Sequence, residues 1–502
     1  MGATPGPVHS SCTYLGGMSA HDDVIYLVAP AGHPNFGDEY IAAAWLRTLA
    51  RRRPRSRVVL DCPNPGLAAV LHADLHPRLT VTDTLFRLAE AARDGIPEGD
   101  RHWVEVARRA EAAATDRDVL DDVAPRLEAG LGLLRRASTI HALGGGWIND
   151  IWPDKSVVVA AASAVAEQSR RERGGRAAVR LAATGMGLAP AGLYDETMSR
   201  IWPRFDVIDV RDEPSAAIAR AAVGAAEGDA APNSATRVTC SGDDAWVVLG
   251  SGDLEDNGLG YGEGTAGSDR PIVLCLQADL LAPADPVGRL ADAVIAVLRR
   301  WDVDGRRVAG TDIAVVEAIP AVDQLVWREI AHRAPDLADG AHVVRFAELW
   351  DRGLPARAGQ RWLTTRFHPH LIAAVRGASG VALDVHVHSY YSVKHGSVVA
   401  AGSGWPVASL DDAPASASGP GMDDGDVERN RARKAATVEE VYPLSPVVEG
   451  MVAAAVLGRR AGRGWWGRYA DNRGCWGACD WCVGCRDLRD QVRYRAVMNR
   501  PG

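Results

Sequence analysis

Short apolar runs recur along the chain, and each hands over to a stretch with apolar residues at helical spacing. Val24-Ile25-Tyr26-Leu27-Val28-Ala29 reads as a buried parallel strand, and Tyr40 to Ala50 as the helix behind it. Arg57 to Asp61 and Leu79-Thr80-Val81 read as further strands. Residues 85–135 are rich in Ala, Glu, Arg and Leu and read as helices inserted into a first domain. Ser138 to Leu143, Ala178 to Thr184 and Phe205 to Val210 read as strands, with a helix from Lys155 to roughly Arg171. A second sheet is expected to open at Pro271 to Leu276. A helix (Pro286 to Arg300), a strand (Asp312 to Glu317), a helix near 321–333 and a strand (His342 to Phe346) follow. Strand alternating with helix predicts parallel sheets covered by helices, so the fold class is α/β with two Rossmann-like domains.

Length and charge narrow this picture. At 502 residues the chain exceeds one domain. Lys+Arg 56 against Asp+Glu 64 gives a net charge of −8, which argues against a dedicated nucleic-acid binder. No apolar run reaches transmembrane length, and residues 1–23 have neither a basic nor an apolar leader segment, so a cytoplasmic protein is expected. The expected organisation is a disordered N-terminus at 1–22, a first Rossmann-like domain with a helical insertion at 23–203, and a second at 204–410. A linker at 411–440, rich in Ala, Ser, Gly, Pro and Asp, and a Cys- and Trp-rich tail at 441–502 complete it.

Candidate chemistry gathers at strand ends, where open α/β sheets bind ligands. After the first strand comes Gly32-His33-Pro34-Asn35-Phe36-Gly37-Asp38-Glu39, with Asp38 and Glu39 in a first helical turn. Gly144-Gly145-Gly146 follows another strand and exposes N–H groups that suit an anion or sugar hydroxyls, as a simple tight turn also would. Arg211-Asp212 follows the strand at 205–210, suited to a ligand or to a cap and ion pair. Arg366 and His368, in Thr365-Arg366-Phe367-His368-Pro369, open a helix. An arginine fork suits a carboxylate or phosphate, and a histidine beside it can donate to phosphate or pass a proton. Tyr390-Tyr391-Ser392-Val393-Lys394-His395-Gly396 supplies Tyr391, Lys394 and His395. Asp384, His386 and His388 alternate along one expected strand face without a recognisable metal-ligand partner.

The order of these segments resembles the polysaccharide pyruvyl transferase family. The resemblance rests on Asn35-x-Gly37-Asp38-Glu39, the glycines at 144–146, Gly185-x-Gly187, Arg211-Asp212-x-x-Ser215, Arg366-x-His368 and the segment Tyr390 to Gly396. It spans roughly residues 24–410. It implies a GT-B fold and transfer of pyruvate from phosphoenolpyruvate to hydroxyls of a sugar in a polysaccharide or glycan precursor. The product would be a ketal, as in exopolysaccharide and cell-envelope synthesis. Asp38, Glu39, Arg366 and His368 would be catalytic, with Asp38 or Glu39 the base on the acceptor side. Asn35, Gly37, Gly144, Gly145, Gly146, Arg211, Tyr391, Lys394 and His395 would bind substrate. The partners implied are phosphoenolpyruvate and a glycan or lipid-linked sugar acceptor, and no cofactor is required for transfer. A homo-oligomer is compatible with the sequence.

Beyond residue 440 the resemblance predicts nothing. Cys475, Cys479, Cys482 and Cys485 crowd into eleven residues, with Trp476 and Trp481 between them. Four thiols so close suit zinc or an iron–sulfur cluster, although neither usual spacing is met; disulfides or a disordered tail are the alternative. Three rival functions stay open at this point. One is a GT-B glycosyltransferase using a nucleotide sugar, one a non-catalytic binding protein with a metal-bearing tail, and one a redox role for the cysteines.

Overall fold

The computed structural model describes residues 23–175, 178–190, 196–225, 236–249, 264–279, 281, 286–385 and 390–443. Its first sheet holds β1 (Val24–Val28), β2 (Arg57–Asp61), β3 (Leu79–Thr82), β4 (Thr139–Ala142), β5 (Arg180–Met186), β6 (Val207–Val210) and β7 (Arg237–Cys240). They lie in the order β3-β2-β1-β4-β5-β6-β7, all parallel. The five residues of β1 are all buried, which explains why that strand is continuously apolar rather than alternating. After it come β8 (Ile272–Cys275), a small hairpin of β9 (Asp302–Val303) and β10 (Arg306–Arg307), β11 (Ile313–Val316) and β12 (His342–Val344). The chain then adds β13 (Arg361–Thr364), β14 (Ser379–Leu383) and β15 (Val407–Ala408). Apart from the hairpin these form a second parallel sheet, β12-β11-β8-β13-β14-β15. Two Rossmann-like domains facing across a cleft make the GT-B architecture.

Strand order places the cleft. In the first sheet the direction of winding reverses between β1 and β4, and in the second between β8 and β13. At such a reversal the following loops part in opposite directions and leave a crevice. Here the two crevices face each other. Backbone and side chains tie the domains across them. Phe36 N–H donates to the Ala318 carbonyl at 2.9 Å, and Trp350 Nε1 to the Leu71 carbonyl at 3.2 Å. One apolar cluster contains Phe36, Tyr40 and Trp45 together with Val273, Phe367 and Leu371.

Several expectations need correction. The boundary at 203/204 does not hold, because β6 and β7 belong to the first sheet. The Gly- and Ala-rich composition near 224–236 marks a connection within that domain, and β7 is too short and too exposed to stand out as an apolar run. The linker at 411–440 is also corrected: Asp424–Val441 is an 18-residue helix. It packs back on the first domain, so the chain crosses between domains twice. His342 to Phe346 is shorter as a strand than expected, since Phe346 starts the helix Phe346–Arg352. Strand β14 ends at Leu383, so Asp384 lies beyond it; His386 and His388 fall outside the described residues. Residues 1–22 and 444–502, including Cys475, Cys479, Cys482 and Cys485, fall outside them too. No described helix is long and apolar enough to cross a membrane.

The returning helix is fixed by one buried charge cluster. Lys434 is fully buried, with Nζ 2.7 Å from Asp209 and 3.0 Å from Asp244. Burial alone would draw its pKa down, but the two carboxylates outweigh that and raise it. Removing one member of such a cluster leaves charge buried without compensation. Lys434→Met keeps the volume but not the charge, and is expected to cost about 3–5 kcal/mol in urea unfolding.

Candidate functional site

The loop from Gly32 to Asp38 joins β1 to the helix Phe36–Arg52, and the Asn35 side chain caps that helix by accepting from Gly37 N–H. Asn35 Nδ2 donates to Asp38 at 2.8 Å and holds its carboxylate toward the cleft. Neighbouring helical residues point about 100° apart, so Asp38 and Glu39 cannot share a face. Glu39 is fully buried behind the loop. It accepts from Gly32 N–H at 2.7 Å and bonds His72 Nε2 at 2.8 Å. The expectation of Glu39 as a base is therefore corrected: it shapes the loop. Asp38 keeps partial exposure to the cleft, and burial pushes its pKa up to about 6, with His368 and Lys394 pulling the other way and Glu39 adding to the rise.

The glycine run also divides. Gly144 N–H donates to Asp244 and Gly145 N–H to the Gly185 carbonyl. Neither N–H is free to cradle a substrate, which corrects that expectation for both residues. Gly146 does line the cleft. A Cβ there would sit 2.4 Å from the Tyr390 hydroxyl, which donates across the domains to the Gly146 carbonyl at 2.9 Å.

The opposite wall comes from the second sheet. Arg366 follows β13 and opens the helix Phe367–Val375. It pairs with Asp323 and, at 2.8 Å, with Asp279. Burial would lower its pKa, but those two carboxylates win, so its charge is permanent. Asp323 also accepts from the Ala318 and Ile319 N–H groups, and so ties Arg366 to the loop after β11. Lys394, on the helix Tyr390–Ala400, lies 3.9 Å from the Tyr390 ring centroid and 5.1 Å from that of Tyr391. Desolvation, joined by Arg211 and Arg366, holds its pKa well below that of an ordinary lysine. Tyr391 lines the same wall, and desolvation pushes its pKa up to about 12.

His395 does not reach the cleft. It is fully buried, bonded to the Thr365 carbonyl and to His370, with its pKa brought down to about 3 mainly by desolvation. Its expected role in binding substrate is corrected, since a buried neutral ring offers no charge. Arg211 does reach the cleft. Its guanidinium lies 4.8 Å over the Phe367 ring, and Nε donates to Asp212 at 3.2 Å. Asp212 itself caps the helix Glu213–Ala225 through Ser215 N–H. The result is a cavity of about 460 Å³ lined by Asn35, Gly37, Asp38, Gly146, Arg211, Arg366, His368, Tyr391 and Lys394 among the expected residues.

Three carboxylates were not among the expected residues: Asp243, Asp279 and Asp323. Asp279 lies in the loop after β8 and Asp323 opens the helix Asp323–Arg333 after β11, and a lone Asp at either place has no sequence signature. Asp243 sits in Gly242-Asp243-Asp244, which reads as a turn. Among the described residues no group of three or more His, Cys, Asp or Glu side chains is placed to hold a metal.

No family model matches the chain, and no curated protein matches it. Solved structures do. MnaA from S. aureus, determined with UDP, is 11% identical, covering 84% of this chain and 90% of that chain at a TM-score of 0.40. HepE from Anabaena, in complex with UDP and glucose, is 13% identical, covering 87% and 100% at 0.40. The alpha,alpha-trehalose 6-phosphate synthase of Burkholderia multivorans is 13% identical, covering 88% and 99% at 0.39. Each is a likeness of fold.

Gly37 sits where the two walls meet. A Cβ there would lie 1.9 Å from His368 Nδ1, closer than any real contact. Gly37→Ala must push His368 and its helix away from the first domain. Overpacking of that kind costs about 1–3 kcal/mol, so Gly37→Ala should lower the midpoint of urea unfolding.

Proposed function

We propose that this cleft transfers the pyruvyl group of phosphoenolpyruvate to a sugar diol, forming a cyclic ketal. One observation carries the reading: cationic donors converge on the cleft with hydrogen-bonding capacity unspent. Arg211, Arg366 and Lys394 all line the cavity; among the described residues Lys394 forms no ion pair, Arg366 Nε has no hydrogen-bond partner, and neither does Arg211 Nη2, which packs toward Gly187. Unmet buried donors are costly, and a small, densely charged anion would satisfy them. It would also offset the desolvation and the cationic neighbours that lower the Lys394 pKa. The motif order described above agrees with this reading.

The roles follow from placement. Arg366, Arg211 and Lys394 hold the carboxylate and phosphate, and stabilise charge on the departing phosphate. Asp38 takes a proton from the attacking acceptor hydroxyl, and His368 delivers one to the methylene carbon. The balance closes. Two hydroxyl protons are lost, one ends on the new methyl group and the other leaves with inorganic phosphate. The double bond and the C–O bond to phosphate are replaced by a C–H bond and two ketal C–O bonds.

A second reading keeps the cations and changes the donor. The same groups would hold the diphosphate of a nucleotide sugar, and a cavity of about 460 Å³ has room beyond a three-carbon donor. UDP is the ligand of two of the structures named above.

Thermal shift separates the two. A ligand that binds only the folded state stabilises by about 2.7 kcal/mol at a hundredfold excess over Kd. Phosphoenolpyruvate should raise the melting temperature of wild type and not of Lys394→Met. Lys394 is the better test residue than Arg366, whose loss would strand Asp323. Stabilisation by UDP and not by phosphoenolpyruvate would overturn the pyruvyl reading in favour of the second.

The raised pKa of Asp38 adds a pH test. A base works ionised, so kcat/KM with phosphoenolpyruvate should fall as pH drops through about 6, approaching tenfold per pH unit below it. Asp38→Asn should remove that limb and lower kcat by roughly 10²–10⁴-fold.

A further inference from the structure

His368 and Asp243 belong to different domains. His368 is in the first turn of the helix after β13, in the second domain. Asp243 caps the short 3-10 helix Asp244–Val247 after β7, in the first. Their side chains meet across the boundary, Nε2 to Oδ1 at 3.3 Å. Asp243 is itself well held, because the same oxygen accepts from Ala245 N–H at 2.9 Å. It is buried, and although burial raises a carboxyl pKa, His368 and Arg211 outweigh that and keep Asp243 ionised. On the other side of the ring, Nδ1 is the atom nearest the space above Gly37, beside Asp38. Phe367 packs edge-on against the ring, 4.9 Å between centroids. No hydrogen bond to Nδ1 exists among the described residues, so one ring nitrogen is engaged and the other lies against Gly37, where both residues line the cleft.

We infer that Asp243 is a positioning residue that orients His368 from the opposite domain, so that its proton-carrying Nδ1 is assembled only when the two domains are closed on each other. An ionised carboxylate can only accept, so Nε2 must carry hydrogen toward it. That leaves Nδ1 as the nitrogen that gives up a proton to the donor's methylene carbon and regains one afterwards. A carboxylate behind a histidine fixes the tautomer and stabilises the imidazolium, the logic by which a third group orients a catalytic base. The difference here is that the orienting group and the histidine are on separate bodies. Opening the cleft would break the Asp243 contact and lift the ring off Gly37 together. Proton delivery would then be confined to the closed, water-poor state.

This inference rests on the proposed transfer for its chemistry, but its geometry is testable without it. Two variants divide the roles of Asp243. Asp243→Asn keeps an oxygen that can accept from both Ala245 and His368, and loses only the charge. Asp243→Ala loses both. With phosphoenolpyruvate and an acceptor, Asp243→Ala should lower kcat by on the order of 10²-fold with KM for the donor within about twofold, and Asp243→Asn should recover part of the loss. Nitrogen-15 NMR of the full chain with labelled histidine, with His368→Gln to assign the resonances, reads the ring directly. The Nε2–H tautomer or imidazolium is expected in wild type and Asp243→Asn, and a tautomer mixture in Asp243→Ala. A neutral ring carrying its hydrogen on Nδ1 in wild type overturns the inference, as does Asp243→Ala with an unchanged His368 spectrum. If wild type neither binds nor turns over phosphoenolpyruvate, the transfer reading fails, and the NMR comparison still decides whether Asp243 orients His368.

Discussion

The fold hangs on a buried ion cluster rather than on any one apolar contact. Asp244 accepts from Lys434, Trp45, Thr184 and the Gly144 N–H, and Asp209 accepts from Lys434, Thr239, Ser241 and Gly185. These partners come from the first helix, the loop after β4, the strands β5 and β7, and the helix that returns from the second domain. A buried carboxylate is tolerable only when its lone pairs are met, so each oxygen sets several chain positions at once. The Gly144 N–H is taken by this cluster, which is why it is unavailable to a ligand. The returning helix is anchored by it, together with Arg52, which donates to Glu439 and to the Tyr442 carbonyl.

With the first domain so fixed, the cleft becomes a meeting of two rigid rims. On one side Asn35, Asp38 and Gly146 sit at the reversal between β1 and β4. On the other Asp279, Arg366 and His368 sit at the reversal between β8 and β13. The contacts that cross include Tyr390 to Gly146, Phe36 to Ala318, Trp350 to Leu71 and His368 to Asp243. Charge is arranged unevenly. Arg366 is neutralised by two carboxylates, whereas Lys394 has aromatic faces and cationic neighbours. Asp38 and Asp243 act on Lys394 in the opposite sense, so the cleft brings both signs of charge together.

Much of the architecture was legible from pattern alone. The continuous apolar runs of β1 and β8 marked buried parallel strands, and Arg366 and His368 were visible as a cation and a histidine opening a helix. What misled was composition. A Gly- and Ala-rich stretch looked like a domain crossing and proved to be a connection before β7, because loop chemistry is the same inside a domain as between domains. The charged segment at 424–441 looked like a linker because its mean polarity is high. It buries Asn430, Lys434, Thr437, Val438 and Val441 along one side, and most of those are polar. Glu39 looked as good a base as Asp38, since adjacent acids in a first helical turn are equivalent until something packs behind one of them.

By itself the sequence determined which residues could form strands, where strand ends bring ligand-binding groups, and which charged residues were available there. Those properties are local: they depend on periodicity, backbone freedom and side-chain type within a few positions. Only the tertiary structure decided which of those groups face the cleft. It turned Asp38 outward and Glu39 inward, left Lys394 at the cleft and sealed His395 behind it, and brought Asp243 to His368 from 125 positions away. That choice is made by burial and by long-range hydrogen bonds, because a polar group taken from water must find a partner, and the partner is set by the fold and not by neighbours in the chain.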